Sequence, residues 1–250
     1  MSGDRLRVRF SKHGKIRFTS HRDVARIWER SLRRAQIPVA YTEGFSPRPK
    51  LSFGLALSTG YESRGEYLDV ALREGDELIE PDEIARRVAP GLPIGLDVQV
   101  VARLEAGADS LQQTVTSCTW HLEIGDVGPD AVAAAIEAAL AADALPLTRD
   151  RKGQTVTDDV RPAILTARVV EPANDGGSAV GTTVEAELAT QPRALRPAEL
   201  VGAIAPPEPA WTLVRVTRIN QWTRAGGARR EVIPLPPAAT RAPHAEARAS

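Results

Sequence analysis

The chain has 250 residues, with 32 Lys/Arg balanced by 32 Asp/Glu, and a single cysteine. That length suits one large domain or two ordinary ones, each with its own core. The lone Cys118 excludes an intramolecular disulfide, a CxxxCxxC cluster site and a CxxC zinc site within this chain.

The zero net charge conceals an asymmetry. Residues 1–50 hold 13 Lys/Arg and 4 Asp/Glu, whereas the other 200 hold 19 and 28. Such a split points to a local electrostatic face rather than to a basic protein. His13, His21, His121 and His244 lack ligand spacing, so no metal site is expected. No apolar run approaches the roughly 18 residues that span a bilayer, and the first residues carry no apolar signal core. A cytoplasmic protein without membrane association is the expectation.

In chain order, Leu6, Val8 and Phe10 alternate with Arg5, Arg7 and Arg9, which predicts a half-buried strand over 5–10. A helix is predicted over 21–36, followed by a strand hairpin over 51–58 and 66–72 around Gly60. Pro81 opens a short helix over 81–89, and 95–102 forms another strand. The order is β-α-β-β-α-β. The second half repeats it: strand 119–124, an Ala-rich helix from Pro129 to about residue 141, strands 164–170 and 181–188, a helix from Pro197, and strand 212–219. Leu72, the Pro81-x-Glu83-Ile84 run and the Val98-x-Val100 run recur 116 residues later, at Leu188, Pro197-x-Glu199-Leu200 and Val214-x-Val216. Constant spacing across three elements supports an internal duplication.

The expected fold is therefore α+β, with tandem ferredoxin-like βαββαβ units whose antiparallel sheets pack side by side. The first unit covers 1–102, a linker 103–117 and the second unit 118–231. A hairpin loop is expected over 171–179. The Pro/Ala-rich tail over 232–250 has too few apolar residues to bury and is expected to be disordered.

The first helix is the most specified element. Ser20-x-x-Asp23 has the form of a capping box ahead of an apolar-periodic run. At 100° per residue, Val24, Ile27, Trp28, Leu32 and Ala35 fall in one arc. Arg22, Arg26 and Arg33 lie almost opposite, with Arg30 and Arg34 alongside, and Asp23 and Glu29 are too few to neutralise them. Ile37-Pro38 ends the helix. An arginine-rich helix face is most often simply solvated. Here Lys12, Lys15 and Arg17 precede it and Arg48 and Lys50 follow it, and guanidinium forks suit phosphate oxygens.

The loop over 41–53 interleaves Tyr41, Phe45 and Phe53 with Arg48 and Lys50. Aromatic rings beside cations suit unpaired bases, with Gly44 free to take a positive φ and Pro47 and Pro49 holding an extended path. Phe53 is expected to start a core strand. The anion-binding set is thus Lys12, Lys15, Arg17, Arg22, Arg26, Arg33, Tyr41, Phe45, Arg48 and Lys50. A third basic cluster, Arg215, Arg218, Arg224, Arg229 and Arg230 with Trp222 and Gly226-Gly227, makes a weak phosphate loop because no strand-to-helix context follows it.

The motifs SHRD, RRA, EGFSPRPKLSFG and EYLDV in the first 75 residues resemble the core of the radical-SAM-linked proteins of bacteria. In that family the domain is fused behind a radical SAM enzyme or encoded separately as its companion. The resemblance implies a radical SAM partner in trans, which would carry the iron–sulfur cluster and use S-adenosylmethionine; no cofactor is expected in this chain. Where many members read Pro-His-Pro, this chain reads Pro47-Arg48-Pro49.

A more distant similarity is to the CRISPR repeat-processing endoribonucleases, which often place a histidine near the first helix as general acid/base. His21 alone holds that position, and the more ordinary reading makes it a helix-start residue. The favoured expectation is a non-catalytic accessory module that binds RNA or another polyanion and acts with a radical SAM enzyme. A metal-independent endoribonuclease using His21 and a protein-interaction scaffold with an arginine-rich face are the alternatives.

Overall fold

Alternating apolar residues make β1 (Arg5–Lys12) the centre of the first layer in the computed structural model, which describes residues 4–75, 79–105, 107–151, 153–171 and 181–233. Next come α1 (His21–Arg34), β2 (Leu51–Phe53), β3 (Glu62–Ala71), α2 (Pro81–Val88), β4 (Leu96–Leu104) and a single turn, α3 (Leu111–Thr114). The second half contributes β5 (Val115–Gly125), α4 (Pro129–Ala141), β6 (Pro146–Arg151), β7 (Gln154–Asp159), β8 (Ile164–Val170), β9 (Gly181–Ala189), α5 (Pro197–Ile204), β10 (Thr212–Ala225) and β11 (Ala228–Glu231). The fold is mixed α+β around a large, mostly antiparallel sheet.

Nine strands form one sheet, in the order β4-β1-β3-β10-β5-β9-β8, with β2 on β3 and β11 on β10. Each half orders its strands in the same way: β4-β1-β3-β2 in the first and β10-β5-β9-β8 in the second, all neighbours antiparallel. The halves join through a short parallel contact, Thr217 with Glu62 and Arg218 with Ser63. Two separate sheets were expected; one continuous sheet results because β2 is short. It pairs only with Leu68–Val70, which leaves Glu62 and Ser63 open to β10. The strand expected over 51–58 stops at Phe53, and the carbonyls of Leu55 and Ala56 accept hydrogen bonds from the Arg218 guanidinium, each at 2.9 Å.

α2 and α5 begin and end at the spacing of 116 residues that the sequence predicted, and β4 and β10 begin at it too. The stretch expected as a linker over 103–117 is structured at both ends, as the end of β4 and the start of β5. The sequence reading placed no element between 141 and 164, where β6 and β7 form a separate hairpin. Its turn is closed by the amide of Gly153, at φ +78°, donating to the Asp150 carboxylate. Of the tail expected to be disordered over 232–250, Val232 and Ile233 instead pack against the second core, while the residues from 234, and 172–179 of the loop expected over 171–179, lie outside the described residues.

α1 and α2 cover one face of the first sheet. Val24, Trp28 and Leu32 pack on Leu6, Val8, Phe10, Leu68 and Val70, with Ile84 and Val88 from α2. The Phe10 and Trp28 rings meet edge to face at 4.9 Å, an arrangement worth about 0.5–1.5 kcal/mol beyond its buried area. Ser31 interrupts the apolar arc where α1 runs close to Gly91, whose carbonyl accepts its hydroxyl. A Cβ on Gly91 would meet Ser31 at 3.2 Å, tighter than ordinary contact.

β1 was expected to be half-buried, with its arginine face open, but that face is covered as well. Arg7 makes a two-bonded pair with Asp69, and Arg9 reaches Gln99, the Ile233 carbonyl and Glu231. Buried guanidinium groups persist here because each finds fixed acceptors. The second core, around Leu122, Ile124, Val132, Ile136, Val184 and Leu200, extends into the first half through Tyr67, with Leu55, Val100 and Ala102 packed against it.

Candidate functional site

The entry to α1 follows the sequence closely. The Ser20 side chain accepts the Asp23 amide at 3.2 Å, and its hydroxyl donates to the Asp23 carboxylate at 2.7 Å. The reciprocal half of a capping box is thus replaced by a hydroxyl–carboxylate bond. That bond, and then Arg26, hold the Asp23 carboxyl below its ordinary value.

Arg22, Arg26, Arg30, Arg33 and Arg34 are all exposed. Arg26 pairs with Asp23 at 3.1 Å, and the other four make no ion pair with a described carboxylate. A 3-10 turn over Gly14–Phe18 leads into the helix and exposes Lys15. Arg17 is half-buried and bonds Glu62 at 2.9 Å.

Lys12 does not belong to this surface. It is 4 % exposed, and its ammonium donates to the carbonyls of Arg17 and Thr19 at 3.2 and 3.0 Å. Desolvation lowers its pKa, against the opposing pull of Glu66. It braces the turn before α1 from within.

The expected loop is a small hairpin. The Thr42 amide donates to the Arg48 carbonyl and the Lys50 amide to the Ala40 carbonyl, both at 2.8 Å. The Arg48 amide donates to the Thr42 hydroxyl, and the base is tied to the end of β3 through Ala71. Gly44 takes φ +119° near the tip, as the sequence anticipated. Tyr41, Phe45, Arg48 and Lys50 are exposed, and Phe45 is wholly so. Phe53 is half-buried against the first core, and its ring meets that of His21 edge-on at 5.0 Å. His21 is the exposed first residue of α1 and hydrogen-bonds no side chain among the described residues.

Four of the five arginines of the third basic cluster are taken up by local contacts, and Arg230 is exposed on β11. Arg218 is 1 % exposed, lies 3.4 Å from the Glu66 carboxylate and stacks over Trp120 at 4.9 Å. Arg229 pairs with Glu187 and covers Trp222, Arg215 lies 3.7 Å from Glu123, and Arg224 bonds the Gly227 carbonyl. Gly226 and Gly227, both at positive φ, form the β10–β11 turn rather than a phosphate loop.

Sequence reasoning missed two features. Phe18 is 63 % exposed and carries the Arg17 guanidinium 4.8 Å above its ring. Its signal was an apolar residue outside any periodic run, between Gly14 and the Ser20 cap. The buried trio Lys12, Glu66 and Arg218 left no signal, since it depends on pairing between halves.

Among the described residues no group of three or more His, Cys, Asp or Glu is placed to hold a metal. Burial pushes the Cys118 thiol up to about 11, which leaves it unreactive. No helix among the described residues is long and apolar enough to cross a membrane. The arginine-rich face of α1 and the exposed aromatic rings both lie on the first half of the molecule.

The family described as an uncharacterised protein conserved in bacteria (DUF2344) matches residues 5–197, and the chain belongs to it. No curated protein matches the chain.

Proposed function

We propose that this member of the bacterial family is a non-catalytic accessory module that binds RNA through the arginine face of α1 and acts beside a separate radical SAM enzyme. One observation carries the binding reading: five exposed arginines share the polar face of a well-capped helix, and only Arg26 is paired with a described carboxylate. Lys15, Arg48 and Lys50 extend the charge to either side of the helix. Such a surface draws in polyanions and releases their counterions on binding. The radical SAM partner rests on the resemblance of the first 75 residues, and the iron–sulfur cluster and S-adenosylmethionine would belong to that partner. A cytoplasmic site of action goes with this reading.

The two halves are read as tandem ferredoxin-like units. Their shared element order and shared strand order, fourth-first-third-second, support this.

The test is RNA binding measured over a range of salt. Wild-type affinity should fall linearly on logarithmic axes, with a slope of about −0.7 per phosphate contacted on a single strand. Arg26→Glu combined with Arg33→Glu should flatten that slope and weaken binding. An unchanged affinity in the double variant removes the RNA reading. Co-purification after nuclease treatment then identifies an acidic protein in its place.

A further inference from the structure

Every exposed aromatic side chain among the described residues lies between positions 18 and 45: Phe18, Tyr41 and Phe45. A single exposed apolar residue is ordinary on a protein surface. Three aromatic ones confined to the strongly basic segment are a pattern, and the second half does not share it. Its tryptophans, Trp120, Trp211 and Trp222, are buried or partly buried.

The three rings stand on separate local structures, each held in place. Phe18 ends the 3-10 turn that Lys12 braces from inside, and the Arg17 guanidinium lies over one side of its ring. Tyr41 pairs with Pro49 across the arms of the hairpin. Phe45 stands at the tip, beside Gly44, whose added Cβ would meet nothing within 4 Å. Backbone hydrogen bonds between the arms keep the tip presented rather than slack.

We infer that this half of the molecule selects unpaired RNA, with Phe45 at the hairpin tip beyond the end of β3 and Phe18 at the entry to α1, beside the start of β3, acting as separate platforms on which bases stack. The inference rests on the RNA reading above and narrows it. A duplex buries its base faces in its own stack, and A-form geometry closes its major groove to side chains, so a ring gains nothing there beyond what the arginines gain. Unpaired bases offer free π-faces, and stacking on aromatic side chains tolerates any sequence. Arg48 and Lys50 stand exposed on the hairpin that carries Phe45, available to the backbone that joins stacked bases, whereas the Arg17 guanidinium is held by Glu62 and leaves only the other side of the Phe18 ring open. A membrane-inserting tip would need a cluster of apolar residues and no acid. Thr42, Glu43, Gly44 and Ser46 surround Phe45, and Glu43 repels an anionic surface.

The experiment uses the full chain and two RNA probes at one salt concentration: an unstructured 12-mer of mixed sequence and its blunt duplex. The single strand should bind more tightly. Phe45→Ala and Phe18→Ala should each weaken it by about 10-fold, leaving duplex affinity and the salt slope unchanged. Phe45→Trp should retain binding and Phe45→Leu should not, which separates stacking from plain apolar contact. Both rings are exposed, so the variants are expected to fold as wild type, checked by circular dichroism.

Equal binding of the two probes, or silent phenylalanine variants in a protein that still binds RNA, overturns this inference and leaves the arginine face standing. Loss of binding to phosphatidylserine vesicles in Phe45→Ala, with RNA binding intact, assigns the tip to a membrane and overturns it too. No binding of either probe at low salt removes this inference and the RNA reading together.

Discussion

α1 and α4 occupy the same place in the two halves, each following the first strand of a repeated order, yet their surfaces differ. α1 has a side-chain cap at Ser20, a narrow apolar arc and five arginines outward. α4 begins at Gly128 and Pro129 with no side-chain cap, is built largely of alanine, and presents Asp130 and Glu137 to solvent with no basic residue. Both bury a similar stripe: Val24, Trp28 and Leu32 in one, Val132, Ile136 and Ala139 in the other. The fold therefore asks only for the stripe. The outward arginines of α1 are surplus to folding, and that surplus is the argument for function.

The largest effects should appear where the helices are alike. Trp28→Ala should cost about 3–5 kcal/mol and Ile136→Ala about 2–5 kcal/mol in chemical denaturation. Trp28→Phe should cost far less than Trp28→Ala. It keeps a ring and removes an indole N–H that is buried without a hydrogen-bond partner, a burial that itself costs about 1–3 kcal/mol.

The next effect should appear in only one half. Arg26→Glu with Arg33→Glu should weaken RNA binding by about tenfold or more, while a glutamate pair placed at the outward positions Ala134 and Ala138 of α4 should leave it unchanged. Equal losses from both pairs would mean that net charge, not a face, governs binding.

A smaller effect concerns the caps. Ser20→Ala should cost about 1 kcal/mol of stability, whereas Gly128→Ser should gain a few tenths, roughly what separates those residues at an N-cap. Position 128 has extended backbone, and an added Cβ meets nothing within 4 Å, so the gain carries no steric penalty.

The smallest effect is in pH. The Asp23 carboxyl titrates below its ordinary 3.8, chiefly through its bond from Ser20. Its stabilising contribution is present above that ordinary value and disappears as pH falls through the lower folded value. Stabilities of wild type and Asp23→Asn, measured by denaturation from neutral to acid pH, should therefore converge at the acid end. A gap that persists there would mean that Asp23 acts through something other than its charge.

Local patterns were legible where local chemistry decides them. Ser20, the apolar arc of α1, Gly44 and the proline-started helices at a spacing of 116 residues could all be read from neighbours in the chain. β6 and β7 could not, because Pro146–Arg151 and Gln154–Asp159 are polar and lack a clear apolar alternation. Lys12 and Arg218 were read as surface charges because nothing nearby in sequence marks their acceptors. Those acceptors are backbone carbonyls at Arg17, Thr19, Leu55 and Ala56, and for Arg218 they are reached only once β10 lies against β3. The aromatic tip was legible as composition, while its exposure was not, since exposure depends on what the hairpin fails to touch.

The seam between β3 and β10 sets the smallest unit that can work. Arg218 stands late in the chain, yet it closes the backbone of a loop in the first half and sits beside the same carboxylate that faces Lys12. A fragment ending before β10 would contain every arginine of α1 and every exposed ring, with the carbonyls of Leu55 and Ala56 left open and Glu66 deprived of its guanidinium. The plain copy of the duplicated layout is thus the mould in which the charged copy is cast, and neither half is a spare part of the other.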